Sequence, residues 1–215
     1  MSNNQKLVTA ATALVGRNEK MPVTECHFIN QTDLSADKPV NFQQVLLGLG
    51  CFWGAERVFW SLEGVVSTSV GYSGGYTKNP TYQEVCSGQT GHAEVVRVIF
   101  DPAIVTLQQL LTVFWERHNP TQGMRQGNDI GTQYRSVIYV DTQADLDTTQ
   151  TSKATYQFAL QQEALSQDTG SQGITTEIAL AQEYYLAETY HQQYLAKNPQ
   201  GYCGIGGTGV CFPAQ

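Results

Sequence analysis

The pentapeptide Gly50-Cys51-Phe52-Trp53-Gly54 places a cysteine among two glycines and two large aromatic rings. It lies where the apolar run from Val45 to Leu49 gives way to a helical pattern. Amide groups at a helix start point toward such a sulfur, and their dipole favours the thiolate, the nucleophilic form. The glycines permit a tight turn and close approach by a ligand, while Phe52 and Trp53 can wall an apolar pocket. Alternatively, both rings are core and Cys51 is a small buried filler. Two further cysteines, Cys203 and Cys211, flank seven residues of which four are glycine. A disulfide needs α-carbons within roughly 4.4–6.8 Å. So glycine-rich a loop lets this pair meet without strain, or lets either sulfur reach a third one. The alternative is a loose tail with two idle thiols. His191, among Tyr190, Gln192 and Gln193 on an expected helix, opens a Cys–His acyl-transfer reading with Cys51. A histidine packed in a helix is the plainer interpretation.

Positioning such groups requires a core. The chain has 215 residues, 41% apolar and 14% charged, which suits one globular domain with an extension. Residues 1–40 are polar and weakly patterned and read as a coil-rich N-terminal extension. Residues 41–200 then form the catalytic domain, and 201–215 a glycine-rich tail. Strands are expected at 45–49, 65–72, 92–100, 134–140 and 175–179. A helix at 54–62 carries Val58, Phe59 and Leu62 inward and stops at Gly64. Thr106 caps a helix that faces Leu107, Leu110, Leu111 and Phe114 inward. Further helices are expected at 144–165 and 184–196, with long loops at 73–91 and 119–132. The order β-α-β, β-α-β predicts an α+β two-layer sandwich, a mixed sheet with helices on one face built on a split β-α-β core.

The net charge of −7 disfavours nucleic acid and anionic membranes as partners. No apolar run approaches the ~18 residues of a membrane span. Leu7 to Val15 is interrupted by threonines and runs into Arg17 and Glu19, so it reads poorly as a signal segment, and a cytoplasmic location is the default. Five cysteines make a poor disulfide framework. No Cys-x-x-Cys or histidine pair has zinc-ligand spacing, so no metal is expected.

Four stretches in order, GCFWG, GYSGGYTKNPTYQEVCSGQTGHAEVV, GMRQGNDIGTQYRSVIY and YHQQYLAKNPQGYCGIGGTGVC, resemble peptide methionine sulfoxide reductases of the A type. The likeness covers roughly residues 40–215, and GRNEKMP (16–22) resembles the extension of the longer bacterial members. Tyr184 stands where many members have phenylalanine, and two C-terminal cysteines imply the three-thiol form of the cycle. The resemblance implies reduction of free and protein-bound methionine S-sulfoxide to methionine, without a bound cofactor. Thioredoxin is the implied partner, and dithiothreitol can replace it as external reductant. A redox-sensing thiol module without turnover is the alternative outside enzymology.

The implied chemistry can be assigned residue by residue. A sulfoxide oxygen leaves only when protonated, so the site needs a thiolate, a proton donor and an apolar slot. The resemblance makes Cys51 the nucleophile and Glu94 the acid. Strand alternation puts Glu94 on one face with Val96, Val98 and Phe100, where desolvation would keep its proton on; alone, it also reads as a solvated strand-end carboxylate. Tyr82 and Tyr134 match the tyrosines that hold the sulfoxide oxygen. Asp129 matches a pocket carboxylate acting through water, although Asn128-Asp129 also reads as a turn. Phe52 and Trp53 would grip the methyl group. The implied recycling passes from a Cys51 sulfenic acid to a Cys51–Cys203 disulfide, then to a Cys203–Cys211 disulfide open to thioredoxin. Cys86 is expected to be a buried spectator, and Cys26 has no matching motif.

Overall fold

The computed structural model describes residues 5–23, 26–167, 170 and 172–213. In chain order, β1 (Gln43–Gly48), α1 (Phe52–Phe59), β2 (Val65–Ser73) and α2 (Tyr82–Cys86) lead to β3 (Ala93–Phe100) and α3 (Leu107–Arg117). A two-rung hairpin of β4 (Arg125–Gln126) and β5 (Asp129–Ile130) precedes β6 (Val137–Val140) and α4 (Gln143–Ser166). The strands β7 (Glu177–Leu180) and β8 (Tyr185–Leu186) and the short α5 (Tyr194–Lys197) follow. Among the described residues no helix is long and apolar enough to cross a membrane.

The main sheet runs β7-β6-β1-β3-β2-β8. All neighbours are antiparallel except β6 and β7. β1 and β2 are therefore parallel with β3 between them, and β3 and β6 are parallel with β1 between them. Each is a split β-α-β unit, as expected. Val45, Leu47, Val96, Val98, Phe100 and Ile138 form one sheet face and pack under Phe59, Leu110, Phe114 and Trp115 of the helices. Burying each such side chain contributes about 1.5–3 kcal/mol. That burial, more than intrinsic propensity, holds helices as short as α1 in place. The opposite face is a smaller cluster around Leu46, Val95, Val137 and Tyr139, covered by Ala181 and Tyr184 rather than by a helix.

Local signals place some ends well. Thr106 caps α3 through a reciprocal bond pair with Gln109. The long 73–91 connection also holds α2, whose Thr81–Glu84 capping box is of the same kind. Five residues are too few for an apolar period to announce it.

Of the expected helix over 184–196 only the end is helical, as the start of α5. Tyr185 and Leu186 pair instead with Tyr72 and Gly71 on the edge of β2. Gln192 is fully buried and bonds both the amide and the carbonyl of Val70. Gln193 then takes a left-handed φ of 48° and bonds Glu56 through its own amide and its side chain. These tertiary hydrogen bonds outweigh local helix preference, and His191 ends a 3-10 turn over Thr189–His191.

The N-terminal segment follows the 73–91 connection closely. Gly16 bridges Lys78, and Arg17 bonds the Asn79 carbonyl at 2.9 Å and Glu84 at 2.6 Å. His27 reaches under the sheet edge to Thr68 at 3.0 Å.

One consequence of the strand order matters most. β1 is antiparallel to β3 and β6, so its C-terminal end adjoins the N-terminal ends of both. β2 is antiparallel to β3 as well. The connections after β1 and β2 and those before β3 and β6 therefore meet at one end of the sheet.

Candidate active site

Cys51 is the N-cap residue of α1, at the end of β1. Gly50 before it has φ +95°, and a β-carbon there would press on Gln126. The turn therefore needs glycine. The amides of Trp53 and Gly54 face the sulfur and favour its ionised form. Burial acts more strongly in the other direction, and Glu94, where ionised, adds to it. The net effect pushes the Cys51 thiol up. The resting thiolate expected from the helix start is thus a correction: two amide dipoles do not offset the loss of water beside a carboxyl group.

Glu94, near the start of β3, is 1% exposed. Its Oε2 accepts the Phe52 amide at 3.0 Å, which places the carboxyl against the residue after Cys51. Burial, with a smaller contribution from Asp129, raises it to about 8 even though the Phe52 amide pulls the other way. At neutral pH the group holds its proton.

Tyr82 opens α2 and Tyr134 closes the 3-10 turn Thr132–Tyr134. Burial pushes both phenols up, and both also feel Glu94 and Cys51. They stay protonated donors. Tyr82 O–H is engaged by Cys86, whose half-buried thiol also feels Glu94. Cys86 is therefore not the buried spectator expected; α2 turns it back toward the site. Asp129 is raised by burial and acts on both Cys51 and Glu94. Its Oδ2 accepts Tyr202 O–H at 3.1 Å.

Phe52 is almost wholly buried against Tyr72 and His191, with centroids 5.9 and 5.0 Å away. Its ring belongs to the core more than to a pocket wall. Trp53 is half-buried, stacks on Tyr194 at 3.8 Å and donates its indole N–H to His191 Nδ1 at 2.9 Å. An indole only donates, so Nδ1 is the acceptor and the neutral ring carries its proton on Nε2. That nitrogen lies 4.0 Å from Glu188, and burial lowers His191 to about 4. No lone pair remains to take a proton from Cys51, which removes the Cys–His reading.

Three contributors were not singled out from the sequence. Glu188 accepts the Tyr82 amide at 2.8 Å and Tyr72 O–H at 3.0 Å, fixing the start of α2. Buried Glu56 ties α1 to Thr68 and Gln193. Tyr202 reaches Asp129 from the tail; its place beside Cys203 was its one signal.

The tail is seated. Gly206 accepts from Gln126 Nε2 at 3.1 Å, Val210 accepts from Tyr156 O–H at 3.0 Å, and the Phe212 amide donates to Glu116 at 2.8 Å. All five cysteines are free thiols. Cys203 lies on the first turn of α1: a β-carbon at Gly54 would stand 3.1 Å from its sulfur. Cys211 is exposed and lies instead beside Phe158 and Ala159 of α4.

Comparison with known proteins identifies the family. The family model for peptide methionine sulfoxide reductase matches residues 43–208. The peptide methionine sulfoxide reductase MsrA of Vibrio parahaemolyticus is 62% identical over 213 residues, 99% of this chain and 98% of the relative. That of Pseudomonas savastanoi is 58% identical over 212 residues, 99% and 96% of the two chains. The structure of methionine sulfoxide reductase A of Corynebacterium diphtheriae has a TM-score of 0.82 at 41% identity, covering 97% of this chain and all of that one. Reduced Mxr1 from Saccharomyces cerevisiae has a TM-score of 0.66 at 36% identity, over 79% of this chain and 92% of that one. With family model, full-length relatives and fold in agreement, the chain belongs to the peptide methionine sulfoxide reductase family.

Proposed function

We propose that this methionine sulfoxide reductase acts on the S-epimer, free and in proteins, through Cys51 and Glu94. The observation that supports it most is the Glu94–Phe52 amide bond of 3.0 Å, which puts a proton-bearing carboxyl beside the nucleophile. Both groups enter the reaction protonated. Glu94 passes its proton to the sulfoxide oxygen, held by Tyr82 and Tyr134. Positive charge then grows on the substrate sulfur and ionises the Cys51 thiol, whose proton returns to Glu94. The Cys51 sulfur takes the oxygen, giving Cys51 sulfenic acid and methionine; the carboxyl ends as it began. Tyr82 turns from Cys86 to reach the oxygen. Asp129 orders water at the substrate, and Trp53 with the edge of Phe52 bounds the methyl slot.

Recycling then runs through Cys203 and Cys211 to thioredoxin, with no bound cofactor. Residues 41–200 are the catalytic unit, 1–40 an extension and 201–215 the recycling tail, in a cytoplasmic protein without membrane or nucleic-acid partners. Cys203 and Cys211 rest on different helices, so the second exchange requires the tail to leave its seats on Gln126, Tyr156 and Glu116.

Incubation with blocked methionine S-sulfoxide and dithiothreitol tests the reading: methionine is expected, and its absence refutes it. With thioredoxin, Cys203→Ser is expected to give about one methionine per chain and then stall. A stoichiometric sensor would oxidise without forming methionine continuously. Gly54→Ala is expected to crowd Cys203 and Ile205, at a packing cost of about 1–3 kcal/mol. Thioredoxin-supported turnover should fall roughly 5- to 100-fold, following that cost. Steady-state rates with thioredoxin, compared with the first methionine burst, check this.

A further inference from the structure

We propose that Arg57 activates Cys203 as the thiol that resolves the Cys51 sulfenic acid, an assignment that rests on the function proposed above. Arg57 Nη2 donates to Cys203 Sγ at 3.0 Å. The arginine is on the exposed side of α1, and among the described residues no carboxylate forms an ion pair with it. A guanidinium is always charged and only donates. A neutral thiol is a weak acceptor and a thiolate a strong one, so the guanidinium at 3.0 Å is placed to hold the Cys203 sulfur on the α1 surface as it attacks.

The local structure supports the pairing independently. Gly54, one turn before Arg57, leaves the helix surface bare where the sulfur lies. Arg117, at the end of α3, lines the same cleft and brings a second guanidinium. The three thiols of the cycle thus have different surroundings. Cys51 is beside two carboxyl groups, Glu94 and Asp129. Among the described residues, Cys211 shares a cleft with Glu163 and with no arginine or lysine. Cys203 has one guanidinium on its sulfur at 3.0 Å and shares its cleft with a second.

In the step itself, the Cys203 thiolate attacks the Cys51 sulfur. The S–S bond forms, the S–O bond breaks, and the hydroxyl leaves as water with the Glu94 proton. Cys203 is oxidised as the sulfenic sulfur is reduced.

The test is a single turnover with excess methionine S-sulfoxide and no reductant. Methionine is counted as it forms, and dimedone-trapped sulfenic acid and the Cys51–Cys203 disulfide are followed by mass spectrometry. In Arg57→Ala, the rate of disulfide formation relative to the methionine burst is expected to fall about 10- to 100-fold, the usual worth of a charge-assisted bond. Arg57→Lys should recover part of it. Alkylation of Cys203 at pH 7 should slow with it, while Cys211 is unaffected. A wild-type rate of disulfide formation in Arg57→Ala overturns the assignment. So does slow disulfide formation with normal Cys203 alkylation, which would make Arg57 a packing residue. No methionine burst from the wild-type protein, or a Cys51 disulfide formed in Cys203→Ser, would instead overturn the underlying reading.

Discussion

Cys51→Ser protein is expected to form no methionine above the blank, a loss on the order of 10⁴-fold or more, as when other enzymes lose their nucleophile. The substitution is structurally mild. Serine is a favoured N-cap residue, so α1 keeps its start and gains a capping oxygen. Chemistry, not folding, is what disappears: an alcohol cannot take the oxygen to form a sulfenic acid. Methionine from blocked methionine S-sulfoxide with dithiothreitol measures the loss, and a thermal melt confirms the fold. Residual activity above about one part in a hundred would place the nucleophile elsewhere. Cys86 would be the next thiol to test, since it shares Tyr82 and the field of Glu94.

Glu94→Gln is the second large effect, with an expected rate loss of about 10²- to 10⁴-fold, the usual range for a positioned acid–base group. Glutamine keeps an oxygen to accept the Phe52 amide, so the geometry at 3.0 Å can persist while the exchangeable proton is gone. The pH profile supplies a sharper test. The productive site carries both protons, so the wild-type rate should be flat below the Glu94 value of about 8 and fall above it. In the glutamine variant that fall should vanish. A wild-type rate still climbing at pH 9 would mean that the thiol enters already ionised.

The same carboxyl carries a stability cost with a definite sign. Its value rises from 4.5 to about 8 on folding, so the native state binds the extra proton between those values. Its favourable contribution is full below pH 4.5 and is lost as the pH rises through about 8. At pH 7 the glutamine variant should therefore be more stable than wild type by roughly 3 kcal/mol, and the gap should close near pH 4.5. Denaturant unfolding at the two pH values measures the difference. Equal stabilities throughout would show Glu94 to be solvated.

Much of the architecture could be read from local patterns. The alternation in β3 puts Glu94, Val96, Val98 and Phe100 on one face, and three of these four do pack in the core. Thr106 marks the start of α3, and the β-α-β order led to the split sheet. Reading failed where long-range bonds replaced local ones. Residues 184–196 have helical composition, yet Gln192 and Gln193 are spent on Val70 and Glu56. Nothing within that segment encodes partners more than a hundred residues away.

The sequence by itself determined which atoms are present and what each short segment becomes. It supplied a cysteine at a helix start, a glutamate on an apolar strand face and a glycine-rich tail, because turns, caps and side-chain alternation depend on near neighbours. Only the tertiary structure decided that Cys51, Tyr82, Glu94, Asp129 and Tyr134 share one end of a sheet, since antiparallel pairing brings together ends that are distant in the chain. It also decided their protonation. Burial and facing charges, contributed by several segments at once, keep the proton on both the carboxyl and the thiol, where the helix start alone had pointed to a thiolate.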